Sequence, residues 1–397
     1  MQFIFRTVYE VNLNDSCYTE AEADAAYAAG PGRISLENSS QLFFGIDVGG
    51  STSDIFIMNQ AKELLAQSSV RMASGFFFKA INSSAKFRKA VYDFHNGLRG
   101  RIKVLNIEDI ISPNPKLSER ASHYLNNVFD QLSTENDFNE FYVAMQLAVP
   151  AVFALPTYVT GILLFYSGML VRNAIEKNGY QNIIKSVEMK YYGKGGRLFE
   201  WVNAKFGVSR AEAYYGKCFR LGLDMPDVTF HFNKSDLREN KSEVAMGLSS
   251  NHINGLKIKK DEEGIRIVEN FDVIGESGLK YTSSTGVREL NASDVIPDDM
   301  FANGMTMEFP SERHNINKFL DTFISFVGNA GLVKNVSALE SGRSNIRAAL
   351  YMQNDPEYLK YLAHADEGAT YKMPLIIAEA LSYLNDTLLN VVADELR

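Results

Sequence analysis

The sequence predicts an α/β protein, a mixed sheet flanked by helices, followed by a β-rich insertion and a helical C-terminal extension. Three observations predict it. Residues 42–60 (LFFGIDVGGSTSDIFIMNQ) read as an apolar strand, a tight turn and a second apolar strand. Residues 183–202 (IIKSVEMKYYGKGGRLFEWV) read as a strand that meets a glycine cluster and opens a helix near Leu198. Near the C-terminus, Ile377, Leu381, Leu384, Leu388, Val392 and Leu396 recur at helical spacing as one apolar stripe.

The other elements follow in chain order. Residues 5–13 alternate and predict a strand. Thr19 stands before an alanine-rich run, AEADAAYAA, of high helix propensity, and Glu22 three residues on completes a capping box. Gly30-Pro31-Gly32 ends that helix. Residues 76–140 read as mostly helical. Residues 226–236 hold a strand around VTFHF, and Glu243–Leu248 a short helix. LKIKK and IRIVE predict a hairpin around Asp261-Glu262-Glu263-Gly264, in which the basic Lys257-Ile258-Lys259-Lys260 is a solvated face. Beyond about 310 the chain reads as helical.

Composition narrows the function classes. The 397 residues are 46% hydrophobic and 22% charged, with 26 Phe and 19 Tyr, enough apolar material for a core without a disulfide framework. Only Cys17 and Cys218 are present, and no basic segment with a long apolar run opens the chain, so a reducing, cytoplasmic setting is expected. A net charge of −8 argues against a nucleic-acid partner. Between Phe141 and Val171 no charged residue occurs. Pro150 and Pro156 interrupt that stretch, and a buried helix starting near Thr157 or Val159 is expected rather than a membrane span. The six histidines lack metal-ligand spacing and no Gly-x-Ser-x-Gly elbow occurs.

The octet Asp47-Val48-Gly49-Gly50-Ser51-Thr52-Ser53-Asp54 carries the chemistry. Its glycines permit a sharp turn and let backbone N–H groups approach an anion closely. Ser51 and Thr52 add hydroxyl donors for phosphate oxygens. Asp47 and Asp54 would repel phosphate by themselves, but suit a Mg²⁺ held between carboxylate and phosphate through water. A Walker loop requires a lysine and a helix, and a dinucleotide fingerprint requires a helix. Here Ile55-Phe56-Ile57-Met58 follows, a strand, so this would be a hairpin phosphate loop. Taken alone, the octet fits an ordinary Gly-Gly hairpin capped by Asp and Ser equally well.

With its flanks, the octet resembles the second phosphate motif of the actin-like ATPase superfamily, which includes actin, DnaK-type heat-shock chaperones and sugar kinases. In the chaperone branch this hairpin follows an alanine-rich helix headed by a glutamate, as Glu20 heads AEADAAYAA here. The family's adenosine motif, a strand ending in a glycine cluster that opens a helix, is similar to Tyr191-Tyr192-Gly193-Lys194-Gly195-Gly196-Arg197-Leu198. Its short helix bearing alanine and glycine near the lobe base resembles Glu243–Leu248.

The resemblance covers roughly residues 5–250 and implies a ribonuclease H-like, actin-type lobe binding ATP and Mg²⁺. It implies that Asp47 positions metal-bound or attacking water, with Glu20 near that water. Gly49, Gly50 and Thr52 would touch the β- and γ-phosphates, beside Ser51. Asp54 would reach the metal through water. Gly193, Gly195, Gly196 and Arg197 would lie along the adenosine and its phosphates. Two positions depart from the family pattern: Ser51 replaces a third glycine, and Ala21 replaces a proline.

Three segments are therefore expected: an ATPase-like lobe over 1–250, a β-rich insertion over 251–305, and a helical extension over 306–397 that packs on the lobe. The family's first lobe, which supplies a second phosphate hairpin, has no counterpart ahead of Asp47. Ile274–Gly278 and Asn329-Ala330-Gly331 are weak look-alikes without the acidic head. The expectation is thus the C-terminal lobe of a longer bacterial protein, weakly active alone, whose partners are the missing N-terminal lobe and a protein partner or a second copy. Two alternatives are a non-hydrolysing lobe serving as an interaction module and a small-molecule kinase of the same superfold.

Overall fold

A computed structural model describes residues 19–30, 33–34, 36–75, 81–82, 84–97, 132, 134–233, 243–249, 255–258, 272–283, 286–297, 300, 306–348 and 373–397. The expected strand at 5–13, Cys17 and the expected hairpin around 261–264 lie outside these residues, as does most of 98–133.

The chain is α/β, and its main sheet is mixed. Strands β1 (Gln41–Val48), β2 (Ser53–Asn59) and β3 (Leu64–Val70) form an antiparallel meander. Strands β4 (Ser186–Tyr192) and β5 (Thr229–Phe232) run parallel to β1, giving the order β3-β2-β1-β4-β5. The antiparallel joins need only tight turns, whereas each parallel join needs a crossover. Helix α1 (Glu20–Ala28) precedes the sheet, and α2 (Ala85–Gly97), α3 (Glu135–Ala148) and α4 (Ala154–Lys177) lie between β3 and β4. Helices α5 (Arg197–Phe206) and α6 (Val208–Leu223) carry the chain from β4 to β5.

Alternation along β1 assigns the two faces. Leu42, Phe44, Ile46 and Val48 enter the larger core with α4 and α6, where Phe44 stacks on Phe219 with ring centroids 5.1 Å apart. Phe43, with Phe56 and Met58 of β2, packs on the alanines of α1. The capping box expected for α1 is present. The Thr19 hydroxyl accepts from the Glu22 N–H at 3.1 Å, and the Thr19 N–H donates to the Glu22 carboxylate at 2.9 Å. Helix α7 (Glu243–Gly247) lies on α1, where Gly247 faces the Ala23 carbonyl.

The apolar stretch differs from expectation at its start. A 3₁₀ turn over Pro150–Phe153 leads directly into α4, which begins at Ala154 rather than near Thr157. Pro156 is no obstacle, because the first turn of a helix has no intrahelical acceptor for its N–H groups. Helix α4 is buried on all sides up to Val171. Its hydroxyls bond back one turn, Thr157 to the Phe153 carbonyl at 2.7 Å and Ser167 to the Leu163 carbonyl at 2.8 Å. By length and composition alone, Pro150–Lys177 and Leu375–Glu395 are apolar enough to cross a membrane, and the apolar window of the first is entirely enclosed by the rest of the fold.

A second sheet, order β7-β6-β8, joins β6 (Leu279–Ser283), β7 (Gly286–Leu290) and β8 (Thr306–Glu308). Helices α8 (His314–Asn329) and α9 (Val336–Ser341) follow. The look-alike at Ile274–Gly278 has a capping role: the Asn315 and Ile316 N–H groups at the start of α8 donate to the Glu276 carboxylate at 3.0 Å. The other, Asn329-Ala330-Gly331, is the C-terminal turn of α8.

The C-terminal stripe is buried as expected, but it is not one regular helix. Helix α10 (Leu375–Tyr383) is buried at every residue, a π-helical turn spans Leu384–Leu388, and α11 (Leu389–Glu395) continues. The wider turn sits where Tyr383 donates to the Leu339 carbonyl at 2.8 Å and Thr387 faces Gly342. One apolar core runs from Leu42 of β1 to Leu396.

Candidate functional site

The turn between β1 and β2 is closed by the Gly49 N–H, which donates to the Thr52 carbonyl at 2.9 Å. In the β1–β2 register Asp47 stands opposite Asp54. Asp54 in turn stands opposite Ser69 of β3, and Asp47 opposite Tyr192 of β4. Residues paired across strands share a face, so a row Tyr192, Asp47, Asp54, Ser69 crosses the sheet on the side that carries α1. Gly50 and Ser51 at the tip are exposed, and Thr52 is half-buried.

The charges of two neighbouring carboxylates act on Asp54 here. Burial pushes the Asp54 carboxyl up to about 7, from an ordinary 3.8. The Ser69 hydroxyl bonded to it pulls the value down, while the negative charges of Glu20 and Asp47 push it up. Glu20 is the first residue of α1, and the Thr19 cap before it also donates its hydroxyl to Gln67 of β3 at 2.8 Å. The cap and the strand thus fix the end of the helix that carries the third carboxylate.

The glycine cluster after β4 seats against the base of the hairpin, although 146 positions separate Gly193 from Asp47. Gly193 has φ 72° and ψ 162°, and a Cβ there would overlap the Asp47 carboxylate and lie 2.8 Å from the Val48 carbonyl oxygen. A Cβ on Gly195 would overlap the Val48 carbonyl and lie 2.9 Å from that of Gly49. Gly196 instead lies against the Tyr191 ring. Asp47, Gly49, Gly193 and Gly195 are therefore brought together, with Asp54 and Glu20 near them. Arg197 points elsewhere. Its guanidinium lies 3.5 Å from the centre of the Phe138 ring on α3, and Nη1 is 3.3 Å from Glu200.

Several residues around the hairpin carry no sequence motif. Ser53 donates its hydroxyl to the Met72 carbonyl at 2.6 Å. Ser74 donates its hydroxyl to the Gly49 carbonyl at 2.6 Å and its N–H to the same oxygen at 3.2 Å. Gly75 donates its N–H to the Gly50 carbonyl at 2.9 Å. These donors are spent on the carbonyls of Met72, Gly49 and Gly50, and so hold the hairpin in place. The sequence signal was slight: a serine and a glycine, Ser74-Gly75, directly after a strand.

The donor set bears on metal binding. Among the described residues no group of three or more His, Cys, Asp or Glu converges closely enough to ligate a metal directly. A cation at this place would therefore be held through water rather than by direct ligation, the coordination that Mg²⁺ commonly keeps.

Other candidates lack free chemistry. Burial pushes the Cys218 thiol up to about 12, so it is a core residue rather than a nucleophile. A cavity of about 470 Å³ is lined by Arg313, His314, Asn317 and Arg343. Its basic side chains already have partners: Arg343 lies 2.7 Å from Asp321 and from Glu340, Arg313 3.3 Å from Glu379, and His314 2.9 Å from Glu312.

The Asp54 shift has a measurable consequence. Between about pH 4 and pH 7 the unfolded chain has released a proton that the folded chain still holds. Stability conferred at this position is therefore lost as pH rises through that window, by about 2–4 kcal/mol in total. Asp54→Asn removes the titration while keeping an acceptor for Ser69. The variant is expected to exceed the parent in stability at about pH 8 by that amount, and to match it below about pH 4. Urea unfolding at the two pH values measures this, and an equal difference at both would contradict it.

No protein-family model matches the chain, and no curated protein sequence matches it.

Proposed function

We propose that the chain is the Mg²⁺–ATP-binding lobe of an actin-like or chaperone-like ATPase, with a ribonuclease H-like core. The observation that carries this reading is the seating of the Gly193–Gly195 turn on the Asp47–Gly49 base of the hairpin. Two glycine-rich turns from distant parts of the chain meet at one end of a sheet, beside carboxylates. The strand order β3-β2-β1-β4-β5, with β2 antiparallel to its neighbours, supports the same lobe. So does the helix headed by Glu20, and so does the short α7 packed on it.

Each residue then has a task. The exposed backbone at Gly50 and Ser51, with the Thr52 hydroxyl, offers donors to phosphate oxygens. Asp47, Asp54 and Glu20 would hold Mg²⁺ through water, and the ion would supply charge neutralisation beside the phosphates. Asp47 would orient a water molecule from its place opposite Asp54. The Gly193–Gly196 turn would lie along the nucleotide, leaving Arg197 as a brace on Phe138. Phosphoryl transfer depends on positioning and charge from both sides of the phosphates, so one lobe would bind nucleotide while turning it over slowly. A partner lobe, supplied by the rest of a longer protein or by another chain, would complete the cleft.

Calorimetric titration of the chain with ATP, with and without magnesium, tests this reading. Saturable, magnesium-dependent binding is expected, and Asp47→Asn is expected to abolish the magnesium dependence while far-ultraviolet circular dichroism stays unchanged. Identical binding by the parent and Asp47→Asn would remove Asp47 from the site.

A further inference from the structure

We infer that the Ser74–Gly75 segment is the positioning element of the phosphate cradle. It holds the carbonyls of Gly49 and Gly50 on one side of the hairpin, and so turns the N–H groups of Gly50 and Ser51 together toward the other. The inference rests on the reading of residues 47–54 as a phosphate hairpin.

The argument is one of peptide geometry. In a trans peptide the C=O of one residue and the N–H of the next point in opposite directions, and no cis peptide occurs among the described residues. The Gly49 carbonyl accepts from both the N–H and the hydroxyl of Ser74, so the Gly50 N–H is directed away from Ser74. The Gly50 carbonyl accepts from the Gly75 N–H, so the Ser51 N–H is directed the same way. Two successive amides aimed to one side make a concavity that attracts an oxyanion. Both residues are exposed at the tip, so the amides they present are reachable by a ligand.

The clamp itself is fixed. Met72, Ala73 and Ser74 are buried, and the Ser53 hydroxyl ties the Met72 carbonyl to the start of β2. Gly75 meets the hairpin backbone so closely that a Cβ would overlap the Gly50 carbonyl oxygen. Without this segment the Gly49 and Gly50 peptides could flip, since glycine meets little steric barrier to rotation. Ser74 touches the carbonyl side only, so its role is to orient the amides that would bind.

Magnesium pyrophosphate, a probe of the cradle alone, and magnesium ADP, a probe of the whole site, test the inference by amide NMR titration of the full chain. Binding of pyrophosphate that shifts the Gly50 and Ser51 amides is expected. Ser74→Ala should weaken it about fivefold, the worth of one hydrogen bond. Ser74→Thr, which keeps the hydroxyl, should restore it, and Gly75→Ala should remove the response. Thermal unfolding of Ser74→Ala within a few degrees of the parent would separate this effect from a loss of fold. Undiminished pyrophosphate binding in Ser74→Ala and a folded Gly75→Ala would overturn the inference while leaving the phosphate hairpin in place. Failure of the parent chain to bind either probe would overturn both. Binding of pyrophosphate with the expected losses, but without binding of ADP, would uphold the clamp and overturn only the nucleotide reading.

Discussion

Gly193→Ala is expected to lower stability by about 3 kcal/mol and to eliminate magnesium-dependent nucleotide binding. Two separate costs meet at this residue. Its backbone, at φ 72° and ψ 162°, occupies a region essentially reserved for glycine, where an alanine costs of order 1–3 kcal/mol. The added methyl would also overlap the Asp47 carboxylate and press on the Val48 carbonyl. The Asp47 carboxylate would have to rotate away from its place beside the turn, and the Val48 carbonyl, a backbone atom of a fully buried residue, cannot yield easily. Relief requires moving the turn away from the hairpin, which separates the two glycine-rich segments whose meeting defines the site. Urea unfolding and nucleotide titration of the same variant measure the two effects. Unaltered binding in Gly193→Ala would mean that the contact between turn and hairpin has no functional weight.

Gly222→Val is expected to have the largest effect on folding, about 3 kcal/mol or more, with no specific relation to nucleotide. Helices α4 and α6 approach closely through two reciprocal glycines. A Cβ on Gly222 would overlap the Phe165 carbonyl, and a Cβ on Gly168 would overlap that of Phe219 and lie 2.6 Å from the Leu223 N–H. These obstacles are backbone atoms, which cannot rotate aside as a side chain can. Helix separation depends on the residues at the contact, so a branched side chain would pry α6 away from α4 and disturb the stacking of Phe219 on Phe44 beneath it. Chemical denaturation would register the loss. Wild-type stability in Gly222→Val would show that the two helices are not packed in this way.

The two variants separate the fold from the site, and together they indicate what the sequence could and could not reveal. The hairpin was legible because its signals are local: apolar strands, two glycines and flanking aspartates within one octet. The α1 cap was legible for the same reason, since Thr19 and Glu22 satisfy each other within one turn. The helix after the glycine cluster begins at Arg197, within a residue of its expected start, because the glycines mark the boundary.

What depends on register was not legible. That Ser69 stands opposite Asp54 follows from the length of the β2–β3 turn and a shift in pairing between Ile57 and Met58, which no local pattern encodes. That Ser74 and Gly75 reach the Gly49 and Gly50 carbonyls follows from the path of the chain after β3. That Arg197 lies over a flat aromatic ring, Phe138, depends on how a distant helix packs, and no local pattern encodes it. Pro156 reads as a boundary in the sequence and delays the expected start of α4, although the first turn of a helix accommodates proline. The π turn at Leu384–Leu388 preserves the apolar spacing that suggested one regular helix, and only its tertiary contacts with Leu339 and Gly342 distinguish it.

The most direct test of the central claim is an amide NMR titration of the chain with magnesium ADP, comparing the parent with Asp47→Asn. The account expects perturbations that appear together at residues 49–54 and 193–197 in the parent and are absent without magnesium or with the aspartate removed. Perturbations confined to the cavity lined by Arg313 and Arg343, or no response at either glycine turn, would contradict it.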